Sequence, residues 1–224
     1  MSIDSLGRLR PSRVNLRIRA THFGRLQAHK DLSTLVCLQR QTMRETFRTA
    51  RRTMGASERR RADHDAQEFV IGHSRFKRAK RIALYRPFDG ETSTTLIAEA
   101  AQRVGKLVLY PRMEKHFRLS FVAPTSWATQ RAGLPQPLGE PQTLEAADVL
   151  MVPGIVFDHH GHRLGFGQGY YDRALEREVA WPLGLCYQCQ VIDLLEHEAW
   201  DRPVSALATE AGLTEIDPTE KLNV

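Results

Sequence analysis

The stretch RIALYRPFDGETSTTLIAEAAQRVGKLVLYPR, residues 81–112, reads as strand, helix and strand. RIALYRP and KLVLYPR are short apolar runs of strand length, and STTLIAEAAQR between them has helical character. The alternation continues outward. RLSFVA (118–123) and DVLMVPG (148–154) read as strands, GYYDRALERE (169–178) as a helix, and WPLGLCY (181–187) and PVSALAT (203–209) as the last strands. Strands and helices alternating at this spacing predict an α/β protein, a three-layer, mainly parallel sheet with helices on both faces, in a single domain. Upstream, Met43, Phe47, Ala50 and Met54 fall at helical spacing, with a break near Gly55 and Ser57. A second helix follows: Ser57 with Glu58 and Arg61 marks its N-terminus, and Ala66, Phe69 and Val70 form its apolar side. No internal repeat is visible.

At 224 residues and 25.5 kDa the chain can bury one full core, and two large domains would be cramped. No apolar run approaches the roughly 18 residues of a bilayer span, so no membrane partner is expected. The net charge of +6 would suit nucleic acid, and its distribution decides the matter. Between Met1 and Gln41 stand eight Lys/Arg against two acids, Asp4 and Asp31, which accounts for the whole excess. The balanced remainder lacks the broad cationic surface that dominates phosphate-backbone affinity, and no nucleic-acid partner is expected. Residues 1–37, Arg-rich and acid-poor, read as a disordered basic extension, with an organellar targeting peptide as the functional alternative. Residues 38–213 form the folded domain and 214–224 a flexible tail. Cys37, Cys186 and Cys189 form an odd set with no partner CxxC and no signal-peptide apolar region before them, which fits a reducing cytoplasm. Cys186-Tyr-Gln-Cys189 is formally CxxC, yet LGLCYQC reads more simply as a buried strand running out into a loop.

The chemistry concentrates in Arg163-Leu-Gly-Phe-Gly-Gln-Gly-Tyr-Tyr-Asp-Arg173, between the apolar MVPGIVFD and the helix ending LERE. Glycines at every second position, Gly165, Gly167 and Gly169, remove the Cβ atoms that would hold a ligand away from backbone N–H groups, so the loop can cradle phosphates. The helix directly behind it presents orphan N–H groups, and Arg163 and Arg173 add charge-assisted donors. Asp172 would repel a bare phosphate but could hold a Mg²⁺ ion that bridges phosphate oxygens. The plain alternative is a glycine-rich turn with Tyr170 and Tyr171 as core packing, and a GxGxG pattern alone does not separate the two. His159, His160 and His162 fall in the turn before the loop, where no acid or Cys spacing supports a ligand set, and no transition-metal site is expected there.

RLGFGQGYYDR closely resembles the RLGxGKGYYDR signature of the 5-formyltetrahydrofolate cyclo-ligase family over eleven contiguous positions. Gln168 stands where many members have lysine, which removes a point charge beside the phosphates. The resemblance implies ATP at Arg163, Leu164, Gly165, Phe166, Gly167, Gln168, Gly169, Tyr170, Tyr171, Asp172 and Arg173. A second matching block is Tyr85-Arg-Pro-Phe-Asp-Gly-Glu-Thr-Ser-Thr94, after the first predicted strand and before a helix opened by Ser93 or Thr94. In the family the glutamate of this turn lies against the pterin and the formyl-bearing nitrogen, so the resemblance puts Glu91 at the folate site, with Tyr85 and Arg86 beside it. A carboxylate suits that task because it accepts hydrogen bonds from pterin N–H groups. On its own, Asp89-Gly90-Glu91 also reads as an exposed turn with an ordinary acid.

A third match is Arg40-Gln-Thr-Met-Arg44, which resembles the family's K-x-x-L-R start. Arg40, Arg44, Arg48 and Arg51 lie at i, i+4, i+8 and i+11 on one helix face. The resemblance takes Arg40 and Arg44 to the ATP phosphates, whereas Arg48, Arg51 and Arg52 also fit a solvated charged face. Thr125-Ser-Trp127 with Leu134-Pro-Gln-Pro137 resembles the family segment whose tryptophan lies by the folate. Glu198-Ala-Trp-Asp201 with Pro203 and Thr209-Glu210 resembles the C-terminal end. Asp201 there aligns with a second acid that joins Asp172 on Mg²⁺ in some members.

The resemblance implies a NagB/RpiA/CoA-transferase-like fold and the ATP-dependent closure of 5-formyltetrahydrofolate to 5,10-methenyltetrahydrofolate. The formyl oxygen attacks the γ-phosphorus, an N5-iminium phosphate forms, N10 closes on the activated carbon, and phosphate leaves. The protein's task is then alignment and charge neutralisation. Glu91, Arg163 and Tyr171 would stand at the reacting groups, Arg40, Arg44, Arg163 and the loop amides on the triphosphate, and Asp172 and Asp201 on Mg²⁺. Tyr85, Arg86, Glu91, Trp127 and Tyr171 would hold the folate. No side-chain nucleophile is required, in keeping with the lack of a Ser/His/Asp or Cys/His signature. Folate and ATP are the expected partners, in a cytoplasmic monomer. Two rivals stand beside this reading: a non-catalytic folate- or nucleotide-binding relative, and a nucleic-acid-binding protein acting through its basic N-terminus.

Overall fold

The computed structural model describes residues 2–3, 9–10, 25–129, 135–177 and 180–217, with side chains from residue 34 onward. The chain divides into two units, Met1–Gln39 and Arg40–Val224. In the first, β1 (Ser2–Ile3) pairs antiparallel with β2 (Leu9–Arg10). The rest of the basic extension up to residue 24 lies outside the described residues, as does the tail from 218.

Helix α1 (Arg25–Thr53) begins earlier than the apolar spacing from Met43 suggested. Positions 25–39 hold no Gly or Pro, so the backbone accepts the helix there without an apolar stripe. Then come α2 (Ala56–Gly72), α3 (Ser74–Arg78), β3 (Arg81–Ala83), α4 (Thr95–Arg103), β4 (Leu107–Glu114) and β5 (Arg118–Val122). A hairpin of β6 (Ser126–Thr129) and β7 (Pro135–Leu138) leads to β8 (Pro141–Gln142), β9 (Val149–Val152), β10 (Val156–Asp158) and β11 (Arg163–Leu164). The chain ends with α5 (Tyr170–Leu175), β12 (Trp181–Leu185), β13 (Val191–Ile192), β14 (Ala206–Thr209) and β15 (Gly212–Glu215), the last reaching into the expected tail.

The central sheet runs β15-β14-β12-β9-β3-β4-β5-β8. Its inner five strands, β14 to β4, are parallel, and β15, β5 and β8 add antiparallel edges. Both faces are covered, which is why β9 is apolar at every position rather than alternating. Val149 and Met151 pack with Ala66 and Val70 of α2 and Ile97 and Ala101 of α4. Leu150 and Val152 face the other layer, with Phe121, Phe157 and Ala174 of α5. Pro111 of β4 lies beyond the last β3 pair, Ala83 with Leu109, so its missing N–H costs that ladder nothing. Phe157 is wedged between Gly154 and Gly184, where an added Cβ would stand 2.6 Å from its ring in each case.

Two local signals read from sequence need correction. The α2 N-cap is Gly55 without a side-chain bond, and Ser57 lies inside the helix. Phe69, expected on the apolar side of α2, is 43 % exposed, while Ala62, Ala66, Gln67 and Val70 are buried. Helix α4 opens at Thr94, its N-cap, as read from sequence, although the Thr94 side chain makes no cap bond; the Ser93 hydroxyl accepts from the Thr95 amide (3.3 Å). Gln67 of α2 accepts from the Leu96 and Ile97 amides (2.9 and 3.2 Å), and the Thr94 hydroxyl donates instead to the Tyr85 carbonyl. Cys186 is buried just past β12, where burial pushes its thiol up, and Cys189 is exposed in the following turn. Among the described residues no helix is long and apolar enough to cross a membrane.

Candidate active site

One cavity of about 810 Å³ collects residues just past the C-terminal ends of the parallel strands, Tyr85 and Arg86 after β3 and Pro153 and Gly154 after β9. The whole stretch from Arg163 to Arg173 lines it, together with Arg40, Arg44, Glu91 and Asp201. The loop is braced from behind. Buried Gln190 donates to the Gly154 and Ile155 carbonyls, and buried Asp158 accepts from the amides of His160, His162 and Leu195.

At the phosphate-loop end, Gly167 has φ +95° and Gly169, the N-cap of α5, has φ +67°, both in the region that favours glycine. A Cβ on Gly167 would come within 3.2 Å of an Arg44 nitrogen, and one on Gly169 within 2.8 Å of Arg173. The glycines thus let two arginines close on the loop. Arg44 donates to the Gly165 carbonyl (2.8 Å) and Arg173 to that of Gln168 (2.9 Å). Among the described residues the amides of 165–169 make no backbone hydrogen bond, which leaves them free for a ligand. Arg163 is buried and forked between the Arg202 carbonyl (2.8 Å) and Asp172 (2.9 Å), and Arg40 pairs with Asp201 (3.2 Å). Helix α5 has six residues rather than the ten of GYYDRALERE, so its dipole is short and the donors facing the cavity here are amides and arginines.

At the other end, Asp89 and Gly90 have φ of 54° and 79°, and the Glu91 amide closes the turn on the Phe88 carbonyl (3.1 Å). The Glu91 carboxylate accepts in return from the Phe88 amide (3.0 Å). Burial pushes the Glu91 carboxyl up to about 7, against the Phe88 hydrogen bond and the Arg51 charge, which both lower it. Tyr85 and Tyr171 are raised by burial and then by the charge of Glu91, so both phenols stay neutral donors. Tyr85 donates to the Thr92 carbonyl (2.8 Å).

The structure therefore gathers Arg40, Arg44, Tyr85, Arg86, Glu91, Asp201 and residues 163–173 around one space. Trp127 stands outside the lining; it is 38 % exposed, edge-on to Tyr110, and the Arg86 guanidinium lies 4.5 Å from its ring centre. Sequence reasoning missed Trp200, 64 % exposed on the cavity wall, and the contact of Phe88 with Phe166, 6.0 Å apart. The only signal for either was an apolar residue inside a matched block. Among the described residues no three His, Cys, Asp or Glu side chains converge as a preformed metal cage.

Fold and site define a three-layer α/β protein, NagB/RpiA/CoA-transferase-like, whose glycine-rich loop and the half-buried Glu91 carboxylate line one cavity. A sequence model of the 5-formyltetrahydrofolate cyclo-ligase family matches residues 37–210. The chain is 32 % identical over 177 residues to the 5-formyltetrahydrofolate cyclo-ligase of Haemophilus influenzae, spanning 74 % of this chain and 95 % of that one. It is 27 % identical over 180 residues to that of Escherichia coli K12, spanning 75 % and 99 %. The solved 5,10-methenyltetrahydrofolate synthetase of Aquifex aeolicus superposes with a TM-score of 0.72 at 31 % identity, covering 83 % of this chain and 96 % of that one. The chain belongs to the 5-formyltetrahydrofolate cyclo-ligase family.

Proposed function

We propose that this protein closes 5-formyltetrahydrofolate to 5,10-methenyltetrahydrofolate, converting ATP to ADP and phosphate. The observation that carries the reading is that Glu91 and the loop 163–173 share one cavity. The formyl oxygen takes the γ-phosphoryl group and ADP leaves; N10 then bonds to the activated carbon, loses its proton, and the former formyl oxygen departs with phosphate. Every bond is made between the substrates, so the protein needs no nucleophile. Its residues orient and neutralise. Arg40, Arg44, Arg163 and Arg173 with the amides of 165–169 hold the triphosphate. Glu91 accepts from the pterin N–H groups, with Tyr85 packed beside it and Tyr171 as a neutral donor, and Arg86, backed by Trp127, flanks the folate.

The donor set also fits Mg²⁺. Asp172 is paired with Arg163 and Asp201 with Arg40. A metal triphosphate offers a cation to these two carboxylates and anions to the two guanidinium groups, and Mg²⁺ is commonly held by one or two carboxylates plus phosphates. When bound, the ion would neutralise charge on the phosphate oxygens.

The test is the growth of methenyltetrahydrofolate absorbance on mixing the protein with 5-formyltetrahydrofolate and MgATP. Turnover that depends on ATP is expected, with a loss of at least about 100-fold in Glu91→Ala. An inactive full-length protein that still binds ATP would favour the non-catalytic relative instead.

A further inference from the structure

The face of α1 that carries Arg48, Arg51 and Arg52 is not solvated as a unit. All three meet one carboxylate, Asp89, whose side chain is 4 % exposed. Arg48 donates through Nε to Oδ2 (2.6 Å), Arg51 donates through Nη2 to Oδ2 (3.1 Å) and through Nε to the Asp89 carbonyl (2.9 Å), and Arg52 reaches Oδ1. Arg51 is fully buried, and its own carbonyl accepts from Arg59. Its Nη1 is buried with no hydrogen-bond partner among the described residues. Burying a guanidinium with an idle N–H is costly, and one arginine would be enough to hold a turn. Three positive charges on one negative leave a surplus beside Glu91, two residues away.

We propose that Arg51, acting through Asp89, is the positioning residue for the folate half of the reaction, fixing the Phe88–Glu91 turn that presents the Glu91 carboxylate. The inference rests on the folate-site reading of Glu91 given above. The two sides of the interaction agree. Glu91 and Arg51 each favour the charged form of the other, and Arg51 lowers the Glu91 carboxyl against burial. The other groups around Glu91 are Tyr85 past β3 and Tyr171 of α5, both neutral, and the Phe88 amide of its own turn. Arg51 is a cation that lowers it, and the guanidinium of Arg59 and the stem of Arg52 lie beside Gly90, the preceding residue. A left-handed, non-glycine Asp89 would relax without its clamp, and the carboxylate would leave its place.

Steady-state kinetics with each substrate varied in turn, from pH 5.5 to 9, test this on Arg51→Met, Arg51→Lys, Asp89→Asn and Glu91→Gln. In Arg51→Met, KM for 5-formyltetrahydrofolate should rise at least about tenfold while KM for ATP stays within about threefold. Its kcat/KM midpoint for the folate should move to higher pH. Arg51→Lys should restore the midpoint, because the charge returns, but only part of the affinity, because the fork does not. Asp89→Asn should move the midpoint the opposite way, since the arginines lose their counter-charge. A purely structural role predicts equal losses for both substrates with no shift of midpoint, and that result overturns the proposal. If Arg51→Met does not fold, Asp89→Asn alone decides by the direction of its shift. Unchanged folate KM in Glu91→Gln would remove the folate-site reading itself; a silent Arg51→Met beside a crippled Glu91→Gln removes only this inference.

Discussion

Glu91 is a carboxyl whose charge is opposed by burial and favoured by one amide and one guanidinium, and burial wins. Because its value is raised to about 7, the free enzyme loses the carboxylate as pH falls through 7. If the carboxylate grips the pterin, kcat/KM for the folate should climb about tenfold from pH 6 to 8 and flatten above, and Glu91→Gln should abolish the climb. The same shift has a stability consequence of opposite sense. The folded state binds this proton more tightly than the unfolded chain, so stability of the ligand-free protein should decline as pH rises from the ordinary carboxyl range to about 7, read as a falling thermal midpoint. Arg163 makes the matching residue-scale case at the phosphate end. Its two Nη atoms serve the Arg202 carbonyl and Asp172 at once, which a lysine ammonium on a flexible stem does not reproduce. Arg163→Lys should raise KM for ATP by about tenfold or more, with a smaller change in KM for the folate, measured with each substrate saturating in turn.

Elements carry function here through glycine. Gly167 has a positive φ and sits against Arg44, so Gly167→Ala meets both backbone strain and the guanidinium, and it should weaken ATP binding and also lower the thermal midpoint. Gly184 makes a different case: it lies in the buried strand β12 with Phe157 and Leu207 where its Cβ would go, at 2.6 and 2.7 Å. Gly184→Ala overpacks that layer and should cost about 1–3 kcal/mol, seen as a lower denaturant midpoint. The contrast shows what could be read from sequence. The long strands and the helices α2 and α4 were legible because a doubly covered sheet writes itself as apolar runs, as in Val149–Val152. Two-residue strands such as β11 and β13 were not, since they exist through pairing with β10 rather than through local preference. The loop 163–173 and Glu91 were legible as matches to a family pattern, and the glycine spacing alone left an ordinary turn open. Arg51 was illegible in its true environment, because its partner Asp89 is 38 positions away and a ladder of arginines on a helix face looks the same whether it meets water or a carboxylate.

At the scale of the whole molecule the question is what the basic N-terminal stretch contributes. Among the described residues, those that line the cavity are numbered 40 or higher, and the arginines that reach it from α1 are Arg40 and Arg44. Residues 1–24 hold five arginines against Asp4, most of the net +6, and α1 starts only after them at Arg25. The arginines named at the triphosphate all lie outside this stretch, so its removal should leave the triphosphate site intact. A protein starting at Arg25 should therefore keep kcat and both KM values within about twofold. The same truncation should elute earlier from a polyanion matrix in rising salt, because the phosphate-binding counter-charges have been removed. Retention that persists after truncation would place a basic surface on the folded body, against the charge balance of the sequence. Lost turnover with an unchanged thermal midpoint would make the N-terminal stretch a participant in the reaction.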